Sequence, residues 1–342
     1  MNIKDVAELA GVSPATVSRF LNTPTSVAAS TAEKIQRVVS LTGYTADVHS
    51  RGIDLNRNPT IGVVIPSLLN PVFSEIVAGI QQRARHFGFS TIVIDTQYDG
   101  EQEQQAVVDL VRQRVEGVIL TIAEASRNEA LSVLRDFKFP YCLLHNQSDD
   151  DEPCVYVDNY QAGRDVANRV ISLGHTKIGM ITGYFLSSDR AKKRYQGFKD
   201  ALSDQGIELS QLLEVDQNKL DTFGEHEMRV MKAEHAPTVW FCSNDLLALK
   251  AINGIQALGL KVPQDVSIIG FDGMSLGQLV TPSLATVAVP HLKMGQVAVD
   301  ILFNAKAGSK LTTCLAMEHE LQMNGSLAEA PNLTIKQAMI GE

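Results

Sequence analysis

Apolar positions recur at helical spacing through the first 45 residues. Val6, Ala7, Leu9 and Ala10 form one stripe on a helix from about Ile3 to Ala10, and Val17, Phe20 and Leu21 form another on a helix that begins at Pro14. Gly11 supplies the positive φ at which the first helix can end sharply. Ser13 is a side-chain N-cap, and Pro14 takes the first helical position, where its missing N–H costs nothing. The run Ser30-Thr31-Ala32-Glu33 reads as a capping box for a third helix that buries Ile35, Val38, Val39 and Leu41.

From Ile61 the period changes. TIGVVIP, STIVID, GVILTI, PYCLLH and CVYVD are short apolar runs, and amphipathic stretches such as PVFSEIVAGIQQRARHFG and QQAVVDLVRQRV separate them. After AGRDVANRVISLG a second series follows: KIGMITG, RYQGFKDALSDQG, VWFCSN, LLALKAINGIQALG and VSIIGFD. Strands alternating with helices of this length predict parallel sheets joined by right-handed crossovers. Two such series predict two α/β lobes with a cleft between them, a common place for a small ligand. The stretch TADVHSRGIDLNRNP between headpiece and core has no apolar period and reads as a linker.

Composition narrows this picture. Of 342 residues, 44% are hydrophobic and 20% charged, as in soluble globular chains, and no run approaches the ~20 apolar residues of a membrane span. Met1 leads into a polar helix, so a cytoplasmic protein is expected. Cys142, Cys154, Cys242 and Cys314 are far apart and read as separate buried thiols. The net charge of −9 argues against nucleic acid, but residues 1–60 hold six Lys/Arg against five Asp/Glu, which puts the acidity in the remainder. A weakly basic headpiece would bind DNA best as a linked pair.

No GxSxG, GxxxxGK[ST], HExxH or GxGxxG signature is present, and His226 and His235 suit a solvated helix face better than a metal site. The informative polar residues stand at the C-terminal ends of apolar runs, where open parallel sheets bind ligands. These are Thr121, His145, Asn146, Asn244, Asp245 and Asp272, with Arg194 opening the helix RYQGFKDAL. A carboxylate, an amide and a guanidinium converging on a cleft would suit vicinal hydroxyls or a heterocycle edge, whereas Asn244 and Asp245 serve equally as helix caps. At the other end of the chain, Pro14, Ala15, Thr16, Ser18 and Arg19 lie near the exposed start of the second helix. Such a set suits a major groove, although spacing alone fits a plain three-helix bundle as well.

The segments IKDVAELAGVSPATVSRFLN and VAASTAEKIQRVVSLTGY resemble the DNA-binding headpiece of the lactose-repressor/galactose-repressor (LacI/GalR) family, and the following residues to about Leu327 resemble its effector-binding core. The resemblance implies an N-terminal three-helix helix-turn-helix headpiece (1–45) and a hinge (46–59). A two-lobed α/β core (60–329) like the periplasmic binding proteins follows, with two parallel-sheet lobes and a C-terminal tail (330–342). Lobe one would hold about 60–159 and 291–320, and lobe two about 160–290 and 321–329. It implies DNA contacts from Ser13, Pro14, Ala15, Thr16, Ser18, Arg19 and Asn22, with Arg51 and the wedge Ile53 in the hinge. Gly52 would weaken a hinge helix by ~1 kcal/mol, and Asp47 and Asp54 would face phosphates.

Effector contacts would come from Phe73, Thr121, Asn146, Arg194, Asn244 and Asp272. Arg194 stands in the pattern Arg-x-x-Gly-Phe with Gly197 and Phe198. Asn146, Gln217 and Val289 depart from common family residues, so the ligand of a well-known relative does not simply carry over. The function implied is a homodimeric repressor that binds double-stranded operator DNA under control of a small polar metabolite, a sugar or sugar derivative, with no cofactor, metal or membrane. The helix from Phe73 to Phe87 would lie at the dimer interface. The alternatives are a sugar-binding protein without DNA function and an α/β sugar- or nucleoside-processing enzyme. The missing signal peptide and catalytic constellation count against them.

Overall fold

The computed structural model describes residues 3–22, 26–42, 59–126, 128–148, 152–216, 223–306 and 314–331. The expected hinge residues Arg51 and Ile53, together with Gln217 and the C-terminal tail beyond 331, lie outside them. The chain divides into two compact units, Met1–Asn58 and Pro59–Glu342.

The first unit contains α1 (Ile3–Ala10), α2 (Pro14–Asn22) and α3 (Ala29–Thr42). Val6, Ala7, Ala10, Val17, Phe20 and Ile35 close a small core, with Val38 and Val39 at its edge. Gly11 makes the turn at φ 68°. Two expectations are corrected. Leu9 is 60% exposed, because the core formed with α2 and α3 closes over Val6, Ala7 and Ala10 and leaves it outside. The helix α3 starts at Ala29, so Ser30 lies inside its first turn instead of capping it.

The second unit continues with β1 (Thr60–Ile65), α4 (Pro71–His86), β2 (Ser90–Asp95), α5 (Gly100–Arg112), β3 (Val118–Leu120), α6 (Glu129–Asp136), β4 (Tyr141–Leu144) and β5 (Cys154–Val157). Next come α7 (Asn159–Ser172), β6 (Ile178–Gly183), α8 (Asp189–Asp204), β7 (Gln211–Val215), α9 (Glu225–Lys232), β8 (Val239–Cys242), α10 (Asp245–Ala257) and β9 (Ser267–Asp272). It ends with β10 (Ala285–Ala288), α11 (His291–Lys306), β11 (Cys314–Met317) and β12 (Glu320–Gln322). The short strands β7, β10, β11 and β12 carry no signal strong enough to stand out in the sequence.

These strands form two six-stranded sheets, in the orders β2-β1-β3-β4-β5-β11 and β7-β6-β8-β9-β10-β12. Every pairing is parallel except β10 with β12. Because strand side chains alternate, Ile61, Val63 and Ile65 meet α4 and α11 on one face, while Val64 meets α5 and α6 on the other. The second sheet is covered in the same way by α7 and α8 on one face and α9 and α10 on the other. Each sheet reverses its order beside its first strand, and the crevice outside the carboxyl ends at such a switch point is where ligands bind in this architecture. The chain passes between the sheets after β5, after β10 and after β11.

Cys154 and Cys314 are register partners on β5 and β11, 4.4 Å apart at Cα, and form a disulfide. This corrects the expectation of four separate thiols, because a separation of 160 residues hides a strand pairing. Cys142 and Cys242 are buried free thiols. No described helix is long and apolar enough to cross a membrane.

Candidate functional site

In the first unit the start of α2 is set by its cap. The Ser13 hydroxyl accepts from the Thr16 amide at 3.2 Å and lies 2.8 Å from the Thr16 hydroxyl. Ser13, Pro14, Ala15 and Arg19 are exposed, and Thr16 and Ser18 are half-buried, so these residues share one solvent-facing patch. The Asn22 side chain lies outside the description. Val17 and Phe20 hold the opposite side of the helix in the core.

In the second unit the two sheets direct their carboxyl ends at a common cavity of ≈ 50 Å³. Of the expected effector residues, Phe73, Arg194, Asn244 and Asp272 line it. The guanidinium of Arg194 donates from Nε to Asn159 Oδ1 at 2.7 Å and from Nη1 to the Ser243 carbonyl, and it stacks 3.4 Å from the centroid of Phe271. Its Nη2 is 4.0 Å from Asp272 Oδ1. Arg194 lies in the second turn of α8 and does not open the helix, since Ser188 is the N-cap.

Asn244 caps α10 through the Leu247 amide at 2.8 Å, so its cap role and its place on the cavity coexist. Asp245 is buried away from the cavity, accepting from Thr286 Oγ1 at 2.6 Å and from the Met274 amide at 2.7 Å.

Thr121 and Asn146 are not on the cavity. Thr121 donates to the Leu144 carbonyl at 2.9 Å, which joins the ends of β3 and β4. Asn146 accepts from the Ile122 amide, donates to the Ile122 carbonyl and reaches Asp189 of the second lobe at 2.9 Å. Its whole amide is therefore used by protein. The same rim carries the Asp189 amide to the Ala123 carbonyl at 2.8 Å and Arg190 Nη1 to the Ile122 carbonyl at 2.6 Å. These bonds latch the first turn of α8 in lobe two to the loops after β3 and β4 in lobe one.

The structure adds Asn70, Tyr98, Ser188, Arg190 and Ser243 to the lining and places His145, marked in the sequence as a strand-end residue, on it as well. Asn70 and Ser188 were legible as cap signals before Pro71 and Asp189. Nothing local marks Tyr98 or Arg190. His145 (φ 68°) and Asp272 (φ 119°) are non-glycine residues in the left-handed region, one at a strand end of each sheet. Such conformations cost of order 1–3 kcal/mol and cluster at ligand sites. His291 Nε2 donates to the Asp272 carbonyl at 3.0 Å, tying the start of α11 to the end of β9. Among the described residues His145 Nε2 and His291 Nδ1 are buried without a partner.

Burial dominates the electrostatics. It holds His145 well below the usual imidazole range and His291 at about 4, so both rings are neutral. It lowers Arg194 to about 10, which leaves it a cation. Burial pushes the Asp272 carboxyl up to about 8 despite the opposing pull of Arg194. In the unfolded chain an aspartate ionises near 4, so between that value and about 8 the fold keeps a proton that the unfolded chain releases. Stability therefore falls as pH rises through this window. Asp272→Asn has no such proton, and its melting temperature should gain on the native chain from about pH 5 to about pH 8. A gap that stays constant would mean Asp272 is ionised throughout.

Known proteins share both units. Residues 2–47 match the family of bacterial regulatory proteins, lacI family, and residues 58–317 match the periplasmic binding proteins and sugar binding domain of the LacI family. The HTH-type transcriptional regulator DegA of Bacillus subtilis (strain 168) is 33% identical over 300 residues, covering 86% of this chain and 88% of DegA. The HTH-type transcriptional repressor CytR of Escherichia coli (strain K12) is 30% identical over 332 residues, covering 96% and 97%. The crystal structure of the lac repressor dimer bound to operator and the anti-inducer ONPF matches with a TM-score of 0.81 at 27% identity, over 96% of this chain and 99% of that one.

Proposed function

The chain belongs to the LacI family of bacterial regulatory proteins, and from that premise we propose that it is a transcriptional repressor whose operator affinity is set by a small polar metabolite held between the two lobes of its core. Residues Ser13 to Arg19 read the operator from the exposed start of α2. The chain acts as a homodimer in the cytoplasm, which supplies the second headpiece that a weakly basic unit needs. The matching lac repressor structure, a dimer on operator, supports that assembly.

The observation that carries the proposal is that the Arg194–Asp272 pair of the second lobe, 4.0 Å apart, lines one cavity together with Asn70, Phe73, Tyr98 and His145 of the first. At ≈ 50 Å³ the cavity holds roughly one or two waters. A metabolite must therefore separate the lobes to enter, straining the latch at Asn146, Asp189 and Arg190. A ligand that favours one lobe arrangement shifts the population toward it, and a coupling of about 1–3 kcal/mol changes operator affinity roughly 5- to 150-fold.

Two variants separate the halves of the proposal. Arg19→Ala should lose operator retention in a gel-shift assay and keep effector binding; unchanged retention would remove α2 from the interface. Asp272→Ala should lose the thermal stabilisation that a screen of sugars, sugar phosphates and nucleosides finds in the native protein. That stabilisation amounts to ~2.7 kcal/mol at 100 times the dissociation constant. Undiminished stabilisation would place the ligand elsewhere.

A further inference from the structure

The hydrogen-bonding groups around the cavity are unevenly divided between donors and acceptors. Three of its lining residues, Asn70, Ser188 and Asn244, are the N-caps of α4, α8 and α10. Each has its acceptor engaged by a helix amide: Asn70 Oδ1 by Val72, Ser188 Oγ by Ala191 and Asn244 Oδ1 by Leu247. The Asn70 amide also hydrogen-bonds Tyr98, so what remains for a ligand is the Asn244 NH₂ group and one hydroxyl hydrogen as donors, beside the second lone pair of each engaged oxygen. The Ser243 carbonyl is occupied by Arg194.

Two guanidiniums complete the wall. Arg190 uses Nη1 on the Ile122 carbonyl and on Asp189 Oδ1, and among the described residues no other nitrogen of its fork makes a hydrogen bond. Arg194 keeps Nη2 only loosely engaged, 4.0 Å from Asp272. The ring of His145 is 7% exposed, and its buried Nε2 is without a partner among the described residues. Asp272 is the acidic side chain on the lining. The positive ends of three helices of 13 to 16 residues thus converge with two cations, Arg190 paired with Asp189 at 3.2 Å, on one cavity whose lining holds a single acidic side chain.

We propose that the effector is an anion with a polyhydroxylated body, and that Arg190 is the residue that reads its charged group, a phosphate or a carboxylate. Asp272 then accepts from a hydroxyl of the body. This rests on the cleft being the effector site. A neutral sugar can accept from these donors through its hydroxyl oxygens, but it offers no charge to the Arg190 nitrogens that Ile122 and Asp189 leave unused.

The test uses the full chain with inorganic phosphate, glucose, glucose 6-phosphate and glucuronate, read by thermal shift and calorimetry. Inorganic phosphate and at least one charged sugar should stabilise the native protein more than glucose does, with affinity that falls as salt is added. The phosphate and carboxylate arms tell which group is preferred. Arg190→Gln should weaken the charged ligand about 10- to 100-fold, and Arg190→Lys should restore part of the loss. If Arg190→Gln does not fold, the lysine variant and the salt dependence of the native protein carry the result.

Equal or tighter binding of glucose overturns the proposal. So does a charged ligand indifferent to Arg190→Gln, and so does the absence of a shift with every anion. A neutral sugar that binds and is lost in Asp272→Ala would leave the cleft as the effector site and remove only its anionic character. An anion indifferent to both variants would remove both readings.

Discussion

Arg194→Ala is expected to lower the stability of the core by about 3–5 kcal/mol, because it strips two buried acceptors of their donor at about 1–3 kcal/mol each and removes the plane packed on Phe271. The substitution leaves Asn159 Oδ1, the Ser243 carbonyl and Asp272 buried without their guanidinium and takes the stacked plane off Phe271. For a unit of this size, 1 kcal/mol moves the melting temperature by roughly 2–4 °C, so a drop of roughly 6–20 °C should appear in a thermal scan. Arg194→Lys keeps the charge and loses the fork, and it should fall between the two. A drop of less than about 2 °C in the alanine variant would show that the network contributes little and that Arg194 serves the ligand alone. The same residue thus holds the second lobe together and faces the cavity.

Gly197→Ala is expected to cost about 2–3 kcal/mol, near the upper end for overpacking. A Cβ at Gly197 would stand 1.9 Å from the Tyr160 carbonyl oxygen on α7, and one at Gly163 would stand 2.2 Å from the Arg194 carbonyl oxygen on α8. Both obstacles are backbone, so α7 and α8 would have to move apart, and Arg194 one turn away would move with them. Effector affinity should therefore fall along with stability. Gly100→Ala is the control, since its Cβ would meet nothing within 4 Å and Ala favours the first turn of α5. If the two variants melt together, the close approach of α7 and α8 is not limiting. The glycine of the Arg-x-x-Gly-Phe pattern is in this account a packing residue that places the arginine.

The sequence by itself determined the order and kind of most elements, because periods of two and 3.6 are local properties that a single chain displays. It also determined that Asn244 and Asp272 stand at strand ends, while Phe73 and Arg194 were marked through the family resemblance; all four line one cavity. The headpiece was legible for the same reason: Gly11, Ser13 and Pro14 write a turn and a cap into four consecutive positions.

Only the tertiary structure decided which strand-end residues face the cavity and which are used by protein. Asn146 looked like a ligand group until Asp189, 43 residues away and on the other lobe, took its amide. Arg190 and Tyr98 carried no local mark and became lining residues through the meeting of two lobes. The pairing of Cys154 with Cys314, and the exclusion of Leu9 from its core, were likewise hidden from local pattern. The physical reason is common to all of them. Spacing along a chain fixes which way a side chain can point, but what it meets there depends on elements brought together from far away in sequence.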